Sequence, residues 1–354
     1  MALFKLITSL IKSFWHKTRQ WFVSSSGLLS SINVTVYQPI LSSPEITRFA
    51  EQLAQSSSKV SANLKQSEAL RQGEQTSQFM GAGLEYEESR AYQPGDEIRR
   101  INWRLMARTG KAYTKLFQEE RQENWFILVD HRASMRFGTR KRLKATQAAR
   151  VAGYFAWLAQ QMNIPVACGR LAEGFVQSPI YEGKSIYSHV MEFISQPCPP
   201  IMNETQIEPS LNDVLISLTG QLQPGSRLIV ISDFHDIDPR TTELLTALQS
   251  RVAIKAVCIQ DIAETQLPDI EGLQLQSMVD QQVYAFADAE QRLNYQAWSV
   301  DYHNAIQQML NQAAVGVYSV FAHEALSNML LSLNVANKNK PLVDSPQNKQ
   351  AAYE

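Results

Sequence analysis

The sequence predicts an α/β protein built on a doubly wound, mostly parallel sheet with an irregular amino-terminal region. Three observations predict it. Trp125 to Val129, Arg227 to Ile231 and Val252 to Ile259 are largely apolar runs, the pattern of strands covered on both faces. Segments of helical periodicity separate the strands, as parallel crossovers require. Two runs end in a carboxylate, Asp130 and Asp233, and open α/β sheets build ligand sites at the carboxyl ends of their strands.

The 354 residues suffice for two domains and an ample core. A net charge of −1 argues against nucleic-acid binding by bulk charge, so no nucleic-acid partner is expected. Cys168, Cys198 and Cys258 are widely spaced and lack a CxxC pattern, which gives neither a zinc site nor a disulfide framework. A reduced, cytoplasmic setting is expected. No apolar run of about 18 residues or more offers a spanning helix.

Residues 1–22 read as a basic amphipathic helix. Phe4, Ile7, Ile11, Trp15 and Phe22 recur at helical spacing, with Lys5, Lys12, Lys17 and Arg19 between them. Two readings stay open: contact with the inner face of the membrane, or packing on the protein itself. Residues 23–80 read as a linker and a mobile helical segment, with a short helix from Pro44 to Ala54. Residues 81–121 hold the densest motif. In it, Pro94-Gly95 suits a type II turn and Asp96 a helix cap, and Ile98, Ile101 and Leu105 share a helical face. Trp103 is expected in the core. Tyr113 to Gln118 alternates as a strand.

The sheet domain is placed at 122–334. Helices are expected at Leu143–Met162, Ile186–Ile194, Leu211–Leu222, Arg240–Leu248, Asp288–Ala314 and Glu324–Leu333. Further strands are expected at Pro165–Leu171 and Val315–Phe321, with a hairpin across Leu273–Phe286. Residues 335–354 read as a disordered tail.

Arg90, Tyr92, Gly95, Asp96, Arg99 (or Arg100), Ile101, Trp103, Ala107 and Arg108, followed by Asp130, Ser134, Met135 and Gly138, form a long composite motif. In it the chain resembles the DUF58 family, whose members have a von Willebrand factor A-like domain. The resemblance implies a partner of the MoxR-like AAA+ ATPase class, acting on an unknown protein client, and implies no enzymatic activity. It also implies a metal-ion-dependent adhesion site, in which an Asp-x-Ser-x-Ser loop, a Thr and a distal Asp hold Mg²⁺. The counterparts are Asp130, Ser134, Ser210 in the Thr position, and Asp233.

The chain departs from that pattern at Arg132, which stands at the first serine. A guanidinium there removes an oxygen ligand and adds a positive charge, against the oxygen-rich octahedron that Mg²⁺ requires. The expectation is a degenerate site without a cofactor, with Arg132 pairing with Asp130 or Asp233. Asp130, Ser134 and Asp233 serve as ligands only if a divalent ion binds. The rim of Asp130, Arg132, Ser134, Ser210 and Asp233 is the expected binding surface.

Other signals read more plainly. Arg90, Arg99 and Arg108 are read as structural, tied to acids such as Glu87, Glu88, Glu119 and Glu120, in preference to a docking surface. Arg136, Arg140, Lys141, Arg142 and Lys144 form a basic run. A solvated helix start is preferred to a phosphate-binding surface. His235, Asp236 and Asp238 are read as a polar loop in preference to metal ligands. No GxSxG elbow or HExxH motif is present, so a catalytic site has no positive support. A protein-binding module is therefore expected. A metal-dependent hydrolase on the same carboxylates and an anionic-surface binder are the alternatives.

Overall fold

The computed structural model describes residues 21–23, 38–56, 85–93, 97–118, 123–198, 208–268, 273–277, 283–286 and 289–334. Two compact units are present, one of residues 56–123 and one formed by the chain on either side of it.

Along the chain the strands are β1 (Trp21–Val23), β2 (Glu85–Ala91), β3 (Tyr113–Gln118), β4 (Trp125–Asp130), β5 (Val166–Leu171), β6 (Phe175–Gln177), β7 (Arg227–Ser232), β8 (Ala253–Gln260), β9 (Leu273–Ser277), β10 (Val283–Phe286) and β11 (Gly316–Phe321). The larger unit is organised on a six-stranded sheet of order β11-β8-β7-β4-β5-β6. All pairings are parallel except that of the short edge strand β6 with β5. The chain runs outward from β4 to β5 and β6, then returns to the other side of β4 as β7. The order therefore reverses between β4 and β7, and a crevice is expected at their carboxyl ends.

Every residue of β4 is buried, as its unbroken apolar run predicts. Phe126 and Leu128 join a cluster with Leu211, Val214, Leu215 and Leu218 of the helix Leu211–Thr219 and with Ile306 and Leu310 of the helix Ala289–Gln312. Alternation sends Trp125, Ile127 and Val129 to the opposite face. There Trp125 meets Phe155 of the helix Lys144–Met162 edge-on at 6.4 Å. Full burial of such a side chain contributes roughly 1.5–3 kcal/mol. The sheet thus has apolar cover on both sides, and its polar groups concentrate at the strand ends.

The helices begin and end on local signals. Ser210 and Asp238 each form a reciprocal capping box, and Pro239 follows Asp238 at the first helical position. Asn163, in the left-handed conformation, closes the helix Lys144–Met162. A helix at 43–56 agrees with the expected one, and β9 pairs antiparallel with β10 as expected. β1 pairs antiparallel with β9, so Trp21 and Phe22 are extended rather than helical. The rest of the amphipathic helix expected at 1–22 lies outside the described residues. So do the tail 335–354, Gly95 and Asp96.

In the smaller unit, β2 pairs antiparallel with β3. Between them, one continuous helix was expected to carry Ile98, Ile101 and Leu105. The structure instead has a 3-10 turn, Ile98–Arg100, and a separate helix, Trp103–Thr109. Ile101 bridges to Thr114 and leaves the helical path. Asn102 then opens the second helix by accepting a hydrogen bond from Leu105 N at 3.1 Å. Trp103 is not a core residue: it is 59% exposed, while Leu105 and Met106 are the half-buried apolar side chains of that helix.

Candidate functional site

Two buried cations lie at the carboxyl ends of the central strands. The first is Arg132. The Asp130 carboxylate folds back at the strand end, and its Oδ1 accepts Arg132 N at 2.9 Å, a local turn typical of Asp. Arg132 Nε donates to Asp130 Oδ1 at 3.0 Å, and Nη2 donates to Oδ2 at 2.7 Å. Ser232 Oγ donates to Oδ2 as well, at 2.6 Å. The other side of the guanidinium faces Asp236, with Nη1 to Oδ2 at 2.5 Å and Nη2 to Oδ1 at 2.9 Å. Nη1 also reaches Pro209 O, and Asp236 Oδ2 accepts Leu211 N at 2.9 Å.

The second cation is Lys144. It is the first residue of its helix, where the helix dipole disfavours positive charge. Two carboxylates compensate: Asp233 Oδ2 accepts from Nζ at 2.8 Å, and Glu264 makes a second ion pair. Lys144 is 1% exposed, which corrects the reading of the whole basic run as a solvated helix start. Arg140 and Lys141 are exposed as expected.

Burial opposes the charge on both cations, yet the facing carboxylates outweigh it. Asp130 and Asp236 raise the Arg132 pKa, and Asp233 and Glu264 raise that of Lys144. The carboxylates respond in the opposite sense. Burial would raise Asp236, but Arg132 draws it down to about 2. Burial would raise Asp233 too, and Lys144 and His235 hold it well below the ordinary range.

The turn after β7 sets this geometry. Phe234 is buried in the core with a positive φ of 55°, a strained conformation for a bulky residue. Its N–H donates to Ser232 Oγ at 3.0 Å. Asp233 and His235 then lie on Lys144's side, while Asp236 closes on Arg132. His235 Nδ1 lies 3.0 Å from Asp233 Oδ1 and 3.0 Å from Ser134 Oγ. Burial lowers the His235 pKa, Asp233 raises it, and the net shift is upward. A Ser–His–Asp relay uses the two ring nitrogens separately. Here serine and aspartate share Nδ1, so these three residues are not arranged as a triad.

Of the expected rim, Asp130, Arg132, Ser134 and Asp233 come together. Ser210 does not join through its side chain, which is committed to its own capping box with Asp213. Only the backbone beside it, Pro209 O and Leu211 N, reaches the site. Arg132 pairs with Asp130 as expected, but its second partner is Asp236, not Asp233. Asp236 is therefore part of the site, not merely a loop residue. Ser232, Glu264 and Lys144 were also missed.

Asp130, Asp233 and His235 bring their ligand-type atoms within 4.8 Å of one another, close enough to share a metal ion. However, both Asp130 oxygens are engaged by Arg132, while Lys144 and His235 engage the two oxygens of Asp233.

The sequence pattern of the family described as "Protein of unknown function DUF58" matches residues 88–304, more than half of the chain. The chain belongs to this family. The match takes in part of the smaller unit and most of the larger one, with its mostly parallel six-stranded sheet. The uncharacterized proteins Rv1480 of Mycobacterium tuberculosis and Mb1516 of Mycobacterium bovis are each 26% identical over 204 residues, 55% of this chain and 61% of theirs. The chain thus spans about three-fifths of the curated relatives it matches. Among solved structures, BatB from Bacteroides thetaiotaomicron is 14% identical with a TM-score of 0.38, covering 60% of this chain and 96% of that one. A von Willebrand factor type A protein from Catenulispora acidiphila is 9% identical with a TM-score of 0.36, covering 63% and 42%.

Proposed function

We propose that this DUF58 chain is a non-enzymatic protein-binding module whose adhesion site carries its own cations in place of a divalent metal. One observation carries the reading: the Arg132 guanidinium lies between Asp130 and Asp236. A divalent ion at Asp130 would have to displace that charge, and at Asp233 it would compete with Lys144. The residues present therefore do not fit Mg²⁺, which needs free oxygen ligands in near-octahedral array. The metal-dependent hydrolase reading loses support for the same reason. What remains at the strand ends is a rigid, preformed rim including Ser134 and His235. The family resemblance supports an interaction role, and this rim is the surface we propose for it.

The partner we propose is a MoxR-like AAA+ ATPase, with a protein client, at the cytoplasmic face of the membrane. Family resemblance supports the ATPase. Among the described residues no helix is long and apolar enough to cross a membrane. Titration calorimetry with Mg²⁺ and Mn²⁺ tests the metal-free site. No saturable heat is expected, and stoichiometric binding that Asp130→Asn abolishes overturns it. Biolayer interferometry against a purified MoxR-like ATPase tests the partner. Binding weakened by Ser134→Ala and His235→Ala supports the reading. Absence of binding to the unaltered chain removes it.

A further inference from the structure

Beside the Arg132 site lies a second cluster with the opposite imbalance, an excess of hydrogen-bond donors. His131 follows β4 and is fully buried, and neither ring nitrogen has a hydrogen-bond partner. Its backbone N–H donates to Leu171 O at 2.6 Å, next to Arg170. Arg170 Nε is buried and unpaired, while its Nη1 reaches only the backbone oxygens of Gln196 and Pro197, at 3.4 and 3.1 Å. Cys198 comes next in the chain. Its Sγ donates to His131 O at 2.9 Å and lies 3.1 Å from Arg136 Nε. Arg136 Nη1 and Nη2 make no aligned hydrogen bond, although Nη2 pairs with Glu208 at 3.0 Å.

Arg136 is paired with Glu208, whereas Arg170 meets only backbone oxygens and has no carboxylate partner among the described residues. Buried donors are rarely left unmet, and an unmet one costs about 1–3 kcal/mol. A small oxyanion supplies what the cluster lacks: one or two negative charges and several acceptor lone pairs. We propose that Arg136, Arg170 and His131 form a binding site for a small tetrahedral oxyanion of the phosphate or sulfate class. A neutral His131 ring, with neither nitrogen otherwise engaged, has one N–H to give the anion. Such a ligand would tie β4 and β5 to the stretch Gln196-Pro197-Cys198, next to the rim without occupying it.

The test is calorimetric titration of the full chain with inorganic phosphate and, separately, sulfate, at ionic strength held constant with chloride. Saturable one-to-one binding is expected for at least one of them. Arg170→Gln is the informative variant, because Arg170 contacts only backbone oxygens and its loss strands no buried carboxylate. It should weaken binding about tenfold or more, the equivalent of one charge-assisted hydrogen bond. Arg170→Lys, which keeps the charge but loses the planar fork, should also weaken it and stands in if the glutamine variant does not fold. No saturable binding of either anion, or unchanged affinity in the folded Arg170 variant, overturns the proposal.

Discussion

Arg132 and Asp236 stand 104 positions apart in sequence and meet in a two-pronged ion pair, Nη1 to Oδ2 and Nη2 to Oδ1. With Asp130 on the other side, one guanidinium joins the ends of β4 and β7, where the sheet reverses its strand order. A charge buried this deeply is held in place by its partners, and removing it exposes their need for it.

Arg132→Met should therefore destabilise the chain by about 3–5 kcal/mol, because it leaves Asp130 and Asp236 facing each other unpaired. Urea denaturation measures this. Adding Asp236→Asn should recover part of the loss, with a coupling of at least about 0.5 kcal/mol. Strict additivity would show that the pair is not coupled.

Lys144→Met removes the other internal cation and strands Asp233 beside Glu264. A loss of about 3–5 kcal/mol is expected. A Lys144→Met/Glu264→Gln double variant should lose less than the single one. Loss below about 0.5 kcal/mol in the single variant would mean that Lys144 behaves as an ordinary surface lysine.

The acid limb of stability should report Asp236. Its pKa falls from 3.8 to about 2 on folding, so its contribution is complete above the higher value and disappears as pH falls through the lower. Asp236→Asn should flatten the decline of stability across that interval. An unchanged acid limb would assign the decline to other carboxylates.

His235 carries the opposite sign. Its folded pKa is raised above 6.5, so its charge stabilises fully below that value, and the contribution is lost as pH rises through the folded pKa. The stability gap between the unaltered chain and His235→Gln should be widest below about pH 6.5 and narrow as pH rises through the folded value. Denaturation at a series of pH values decides the matter, and a gap that widens with pH refutes it.

Gly138→Ala probes the loop that leads to Lys144. A Cβ there would lie 2.3 Å from Arg142 O, a backbone atom that cannot turn aside. A cost of about 1–3 kcal/mol is expected in thermal denaturation, and a neutral result would show that the loop yields.

Much of the sheet was legible because a strand covered on both faces needs an unbroken apolar run, as in Trp125 to Val129. The oddity at Arg132 was legible too, since a guanidinium where a metal ligand is expected stands out locally. Its partner was not. Asp236 reaches it through the left-handed turn at Phe234, and no apolar periodicity signals such a turn. Lys144 was hidden in a basic run whose Arg140 and Lys141 are exposed, and only the fold distinguishes it from them. Ser210 was misplaced by chain order, although the Ser-x-x-Asp spacing from Ser210 to Asp213 is itself a capping signal. Trp103 was assigned to the core, yet the seven-residue helix carrying it has no buried residue.

The wide separation of Arg132 and Asp236 also has a consequence in time. At about 5–20 residues per second of synthesis, the guanidinium is made roughly 5–20 s before that carboxylate exists. Asp130, two residues from Arg132, is available at once, whereas Lys144 has neither Asp233 nor Glu264 until much later. A growing chain that stops short of Asp233 therefore holds an ammonium group which cannot be buried, and β4 waits for β7 before its carboxyl end can close.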